Sequence, residues 1–270
     1  MTIINKNTII ITLTLLGLTG CDTIEYHPYD ARIEGMTNIN SRNIVRIEES
    51  LQGAETFRFA FITDTQRWYD ETEDVVQAIN RRTDIDFVIH GGDLTDFGAT
   101  KELLWQRDIL NGLKMPYVCL IGNHDCLGTG EEVFNKVFGD PNFSFTAGNV
   151  HFVCLNTNAL EYDYSEPVPD FNFIHHERDS FPQTATRTIF AMHTKPGDEQ
   201  FNNNVADIFQ HVLLTYPTPL CCIYGHGHKL AADDLYGDGL MYYQCSNIKD
   251  RIYMIFTINK EGYEYETVNF

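Results

Sequence analysis

Five times along this chain a short apolar run stops at an Asp, an Asn or a His, and that recurrence restricts the fold more than any other feature. The endings are Phe61-Ile62-Thr63-Asp64-Thr65-Gln66, Val88-Ile89-His90-Gly91-Gly92-Asp93-Leu94-Thr95-Asp96, Ile121-Gly122-Asn123-His124-Asp125, Phe190-Ala191-Met192-His193 and Cys222-Ile223-Tyr224-Gly225-His226-Gly227-His228. Runs of this kind read as buried strands. A strand giving way to a loop that bears amide, imidazole and carboxylate groups is where open α/β sheets keep their chemistry.

The segments between them alternate. Asp70 to Arg81 sets Val75, Val76 and Ile79 at helical spacing with acids in the first turn, where they complement the helix dipole. Lys101 to Leu113 predicts a second helix with Leu103, Leu104, Ile109 and Leu110 inward, and Glu131 to Phe138 a short third. Asn142 to Thr157 reads as a hairpin turning at Ala147-Gly148-Asn149. Asn158 to Thr184 is loop-rich, the expected lid or specificity region. Thr188 to Met192 and Leu220 to Tyr224 are buried strands flanking a helix over Val205 to Tyr216. The tail, Leu240 to Gln244, Arg251 to Asn259 and Tyr263 to Val268, is β-rich. Alternating strands and helices build parallel sheets, so the expectation is α/β, with two stacked mixed sheets flanked by helices.

The 270 residues, 43% hydrophobic, suffice for a full core, and neither a repeat nor a low-complexity linker divides residues 53–270. A formal charge of −19 opposes long polyanions, so no nucleic acid is expected as a partner. A small phosphorylated substrate held by cations remains compatible, because clustered carboxylates are what such ions need.

Ahead of this body, Lys6 and the uncharged run Thr8 to Leu18 form a targeting segment too short to span a bilayer. Leu18-Thr19-Gly20-Cys21 resembles the lipobox of bacterial lipoproteins. The resemblance implies a signal peptide over 1–20, an acylated Cys21, and an extracytoplasmic body attached to a bacterial membrane through Cys21 only; the polar, mixed stretch that completes 21–52 reads as a tether and docking segment. An ordinary secretory signal with an incidental Cys is the alternative. Within the tether, Ile44 to Ile47 is an edge strand or a short helix. The six other cysteines lie mostly in strand-like runs and are expected free and buried, with Cys221 and Cys222 on opposite strand faces.

Taken in order, Asp64-x-Gln66, Gly92-Asp93-x-x-Asp96, Gly122-Asn123-His124-Asp125, His193 and Gly225-His226-Gly227-His228 resemble the calcineurin-like metallophosphoesterase family. The resemblance implies a four-layer α-β-β-α sandwich with a two-metal site at the strand ends. By it, Asp64, Asp93 and His228 hold the first metal, Asp93 bridges, and Asn123, His193 and His226 hold the second. Gln66 stands where most members carry His and offers a neutral oxygen to the first metal or a hydrogen bond behind it. Two divalent ions, manganese, iron or zinc, suit this mixture of carboxylate, imidazole and amide donors. The implied activity is hydrolysis of phosphate mono- or diesters by a metal-bridging hydroxide, with His124 as general acid and Asp96 hydrogen-bonded to it. The alternative is a non-catalytic, surface-anchored module that binds a phosphorylated glycan or protein. A monomer is expected.

Several residues carry two readings. Asp125 braces its loop through backbone amides or binds metal. Arg67, Trp68 and Tyr69 either grip substrate or seat the following helix. His90 is a supporting residue behind the site or a buried strand histidine. Lys195, close after His193, is a candidate substrate contact.

Overall fold

Alternation within the strands explains why the chain forms layers. In β1 (Phe57–Ile62), Phe59 and Phe61 point to one face and Ala60 and Ile62 to the other, and each face finds its own core. The computed structural model describes residues 30–162 and 166–270, so the expected signal peptide, lipobox and Cys21 lie outside the described residues.

The first sheet runs in the order β11-β10-β1-β2-β3, with β2 Phe87–His90, β3 Tyr117–Cys119, β10 Ile252–Ile258 and β11 Tyr263–Asn269. Strands β1, β2 and β3 are parallel, and β10 is antiparallel to β1. The second sheet runs β4-β5-β6-β7-β9-β8, with β4 Phe143–Ala147, β5 Val150–Leu155, β6 Arg187–Met192, β7 Pro219–Tyr224, β8 Ala231–Asp233 and β9 Met241–Gln244. Between the sheets lies an aromatic core in which Phe59 stacks on Phe87 and Phe256 and meets Phe152 edge-on. Each such buried ring contributes about 1.5–3 kcal/mol through removal from water.

Helices cover the outer faces. Against the first sheet pack α2 (Tyr69–Asn80), α3 (Thr100–Leu110) and α4 (Gly130–Val137), through Val75, Ile79, Leu103, Leu110 and Phe134. Against the second pack α5 (Phe171–Asp179) and α6 (Ala206–Leu213), through Ile174, Phe209 and Leu213. This is the α-β-β-α sandwich. Cys221 faces the inner core and Cys222 the outer one, and all six cysteines after Cys21 are free thiols, five of them buried and Cys126 partly so.

Three local features go beyond the sequence reading. The segment read as tether and docking region is, over Ile39–Ser50, a helix (α1). Its Asn40 exchanges two 2.9 Å hydrogen bonds with the Cys119 backbone and Asn43 donates to Tyr117 O at 2.8 Å, which closes the free edge of β3. Ile47 and Leu51 enter the inner core, so this part of the chain belongs to the folded body. The loop-rich region contains α5, started by Asp170 accepting from the Asn172 and Phe173 amides. Strand β8, short and largely exposed, had no hydrophobic alternation to announce it.

Candidate metal centre

The topology brings the five strand endings to one end of the sandwich. Asp64 follows β1, Asp93 follows β2 and Asn123 follows β3, while His193 follows β6 and His226 and His228 follow β7. Backbone bonds join the endings, with Asp64 N donating to Gly92 O at 3.0 Å and Gly225 N to His193 O at 3.1 Å. Asp64, Asp93, His226 and His228 all adopt left-handed backbone, with φ of 54°, 57°, 65° and 51°. Such strain costs about 1–3 kcal/mol per residue and persists only where surroundings enforce it. Here His226 N donates to Asp64 Oδ2 at 3.1 Å and His124 N to Asp93 Oδ1 at 3.0 Å. The loops approach so closely that a Cβ on Gly122 would lie 2.1 Å from the Asp93 amide nitrogen.

Two donor groups result, Asp93 with His193 and His226, and Asp64 with Asp93 and His228, each with its ligand atoms within 4.8 Å of one another. Asp93 is common to both. Asn123 Oδ1 sits 3.1 Å from both His193 Nε2 and His226 Nδ1, which adds a neutral oxygen to the first of these groups. His193 Nδ1 donates to Gly91 O at 2.8 Å, which turns Nε2 toward the cluster, the arrangement typical of a ligating histidine. Gln66 lies against the shared carboxylate, its Nε2 3.3 Å from Asp93 Oδ2.

Whether these residues fit cations can be judged from the groups themselves. Asp64 Oδ1 and Gln66 Oε1 are buried without hydrogen-bond partners, although His228 Nε2 lies 3.1 Å from the former. Burial pulls the His193 imidazole down, but Asp93 and Asp64 overcome it and hold it up to about 10. Burial likewise opposes the charged form of Asp93, and His193 nonetheless keeps that carboxyl below its usual range. The pocket therefore stabilises positive charge strongly, and orphaned oxygens, imidazoles and an amide are a donor set that divalent ions of intermediate softness accept. The residues fit the two-ion expectation.

His124 is brought to the same rim, but its tie to Asp96 differs from the expected carboxylate pairing. His124 Nδ1 meets the backbone carbonyl of Asp96 at 2.8 Å, and the Asp96 carboxylate pairs with Arg67. The loop turns the carboxylate outward, where a guanidinium meets it. Asp125 is fully buried and accepts from the amides of Gly122, Leu94 and Thr95 at 2.9, 3.2 and 2.8 Å, as a loop brace does. His90 is buried at the end of β2, accepts from Gly92 N and is pushed down to about 4 by burial, so it is neutral and donates Nε2–H to Thr65 Oγ1 at 2.9 Å.

Trp68 packs against the outer core of the first sheet beneath Lys249, and Tyr69 meets Trp105 edge-on, so both seat α2. Lys195 is held by Asp198 at 3.0 Å rather than projecting freely. One neighbour escaped the sequence reading: Glu199 Oε1 lies 3.5 Å from His226 Nε2. Beside it opens a groove of about 640 Å³ lined by Leu160, Glu166, Val168, Asn202 and Asn204. Its wall is partly the region expected to set specificity, while Glu199 sits in a loop that no motif marked.

The family model described as calcineurin-like phosphoesterase matches residues 57–230. A 3′,5′-cyclic-nucleotide phosphodiesterase of Nostoc is 26% identical over 156 residues, covering 55% of this chain and 58% of the relative, so the match spans little more than half of that protein. A dimetal phosphatase from Danio rerio superposes with a TM-score of 0.61 at 14% identity, covering 79% of this chain and 98% of its own. GAP50, the anchor in the inner membrane complex of Plasmodium, gives 0.58 at 12% identity over 79% and 84% of the two chains. A yellow lupin purple acid phosphatase gives 0.57 at 14% identity over 81% and 55%. These likenesses establish the fold.

Proposed function

Because this chain belongs to the calcineurin-like phosphoesterase family, we propose that it is a dinuclear metallophosphoesterase acting on phosphate mono- or diesters with His124 as general acid. The family and the Nostoc relative support the broader statement, a metal-dependent phosphoester hydrolase. The observation that carries the finer reading is the sharing of Asp93 between two donor groups at one end of the sandwich.

Asp64, Asp93 and His228, with Gln66 alongside, would hold one ion, and Asp93, Asn123, His193 and His226 the other. Two such ions, manganese, iron or zinc, would polarise the phosphoryl oxygens and acidify a water for in-line attack. The chain's own groups do the rest. The Gly91 carbonyl fixes the His193 tautomer, and the Asp96 carbonyl fixes that of His124. With Nδ1–H committed to that carbonyl, His124 Nε2 is the nitrogen left to give a proton to the departing oxygen. Arg67 neutralises the Asp96 carboxylate, which reduces repulsion of an anionic substrate at the rim.

A second reading, a surface module that binds without turnover, draws on Gln66, whose amide occupies a position most members fill with an imidazole. In either case the body is extracytoplasmic and anchored through an acylated Cys21. Elemental analysis followed by assay on p-nitrophenyl phosphate and its bis ester, with manganese, iron or zinc supplied, separates the readings. Two ions per chain with turnover that His124→Ala removes supports the hydrolase. An ion-free Asp64 and His228 with no turnover supports the module.

A further inference from the structure

We propose that the first half of α3, the turn before it and the start of α2 form the surface on which this protein rests against a lipid bilayer, with Phe97 and Trp105 entering the headgroup region and Lys101 beside them. Phe97 is 67% exposed and Trp105 46% exposed, and large aromatic side chains gain much by leaving water. Lys101 and Trp105 stand one helical turn apart on the same face of α3, with Lys101 Nζ 5.7 Å from the indole centroid, and Tyr69 meets the same indole at 5.6 Å. Exposed aromatic rings joined to a lysine with a long apolar stem suit the interface between hydrocarbon and water.

The occupant is fixed by where the preceding chain leaves this surface. Thr100 Oγ1, at the first turn of α3, hydrogen-bonds Asp30 O, so the described chain starts at this patch. Asp30 is only nine residues after Cys21. Nine extended residues span at most about 30 Å, and an acyl group on Cys21 would hold this end of the sandwich at the membrane. Among the described residues no helix is long and apolar enough to cross a membrane. The patch adjoins the metal centre, since Phe97 follows Asp96, whose carbonyl holds His124. A net charge of −19 repels anionic lipid at long range, which makes short-range insertion of neutral rings the favourable mode.

This inference rests on acylation at Cys21, not on the hydrolase reading, and its test keeps the two apart. The chain has two tryptophans, so in Trp68→Phe the emission reports Trp105 alone. The full-length protein, its Cys21 lipid checked by mass spectrometry, is reconstituted into phosphatidylcholine vesicles brominated in the upper acyl chain. The expected result is a blue-shifted Trp105 emission that the bromines quench, with most of the shift and quenching lost in Phe97→Ser/Lys101→Glu. Hydrolysis of p-nitrophenyl phosphate stays at the level of the parent in that variant, so an inactive parent would count against the hydrolase alone. Unquenched emission, quenching unchanged in the variant, a Cys21 without acyl chains, or shielding of Trp105 that grows with protein concentration in the absence of lipid would each overturn the proposal.

Discussion

The two donor groups of the candidate metal centre, its two halves, are built to different standards. The half made by Asp93, Asn123, His193 and His226 is deeply set, with the His193 side chain fully buried and His226 16% exposed, and its donors are interlocked at 3.1 Å around the Asn123 amide oxygen. The half made by Asp64, Gln66, Asp93 and His228 ends in a histidine that is 46% exposed and has an amide where an imidazole would bind more tightly. Fixed donors lose little freedom on closing around an ion, whereas an exposed side chain must be ordered first. The deep half is therefore expected to retain its ion and the shallow half to exchange it. Asp93 belongs to both halves, so its loss removes a donor from each.

The largest effect follows from that. Asp93→Ala should remove metal from both halves and reduce phosphoester hydrolysis to background, measured by elemental analysis and assay of the same preparation. Retention of a full ion in this variant would break the idea of a shared carboxylate. Next in size is His124→Ala, which should leave both ions in place and lower kcat by roughly 10²- to 10⁴-fold, the usual span for a general acid. A loss of metal in that variant would move His124 from proton transfer to coordination. Gln66→His sharpens the comparison from the other side. It should tighten the shallow half on the order of 10- to 100-fold, as single supporting groups do, while leaving the deep half unchanged in a manganese titration.

The fold was largely legible because its signals are local. Strand β1 alternates Phe59 and Phe61 against Ala60 and Ile62, and each of the five endings carries polar groups directly after apolar ones. That Asp64, Asp93, Asn123, His193, His226 and His228 converge was legible for the same reason, since they sit within or next to glycine-bearing turns or strand ends. What the sequence concealed depends on long-range pairing. Nothing local in Asn40 tells that its amide will complete an edge strand 79 positions away, and the exposed face of β8 has no period. The partner of His124 was named correctly by residue and wrongly by atom, because choosing between the Asp96 carbonyl and carboxylate requires knowing where Arg67 lies.

Asn40 links that concealed feature to the deep half, because β3 leads to Asn123. Asn40→Ala would leave the amide and carbonyl of Cys119 unpaired in a buried setting, at a cost of about 1–3 kcal/mol. Denaturant unfolding of the metal-free protein should show this loss. A second consequence is a weaker deep ion with little change at the shallow one, and equal weakening of both would argue that the halves are coupled through the whole end of the sandwich.

The smallest effect serves as the control, since it lies on the second sheet away from either half. Glu177 on α5 accepts from His151 on β5 at 3.2 Å, and that bond, against partial burial, holds the Glu177 carboxyl below its ordinary value of 4.5. A carboxyl depressed in the folded state contributes stability that is complete above its unfolded value and disappears as pH falls through the folded one. Glu177→Gln should therefore lower the stability of metal-free protein at neutral pH by at most about 1 kcal/mol. The gap from the parent should close as pH is taken below 4.5. Metal affinity in both halves should be unaltered. If Glu177→Gln weakened the deep half, the rigidity assigned to that half would have to extend through β5 into the whole second sheet, and the contrast between a fixed and an exchangeable ion would become a contrast between the two sheets.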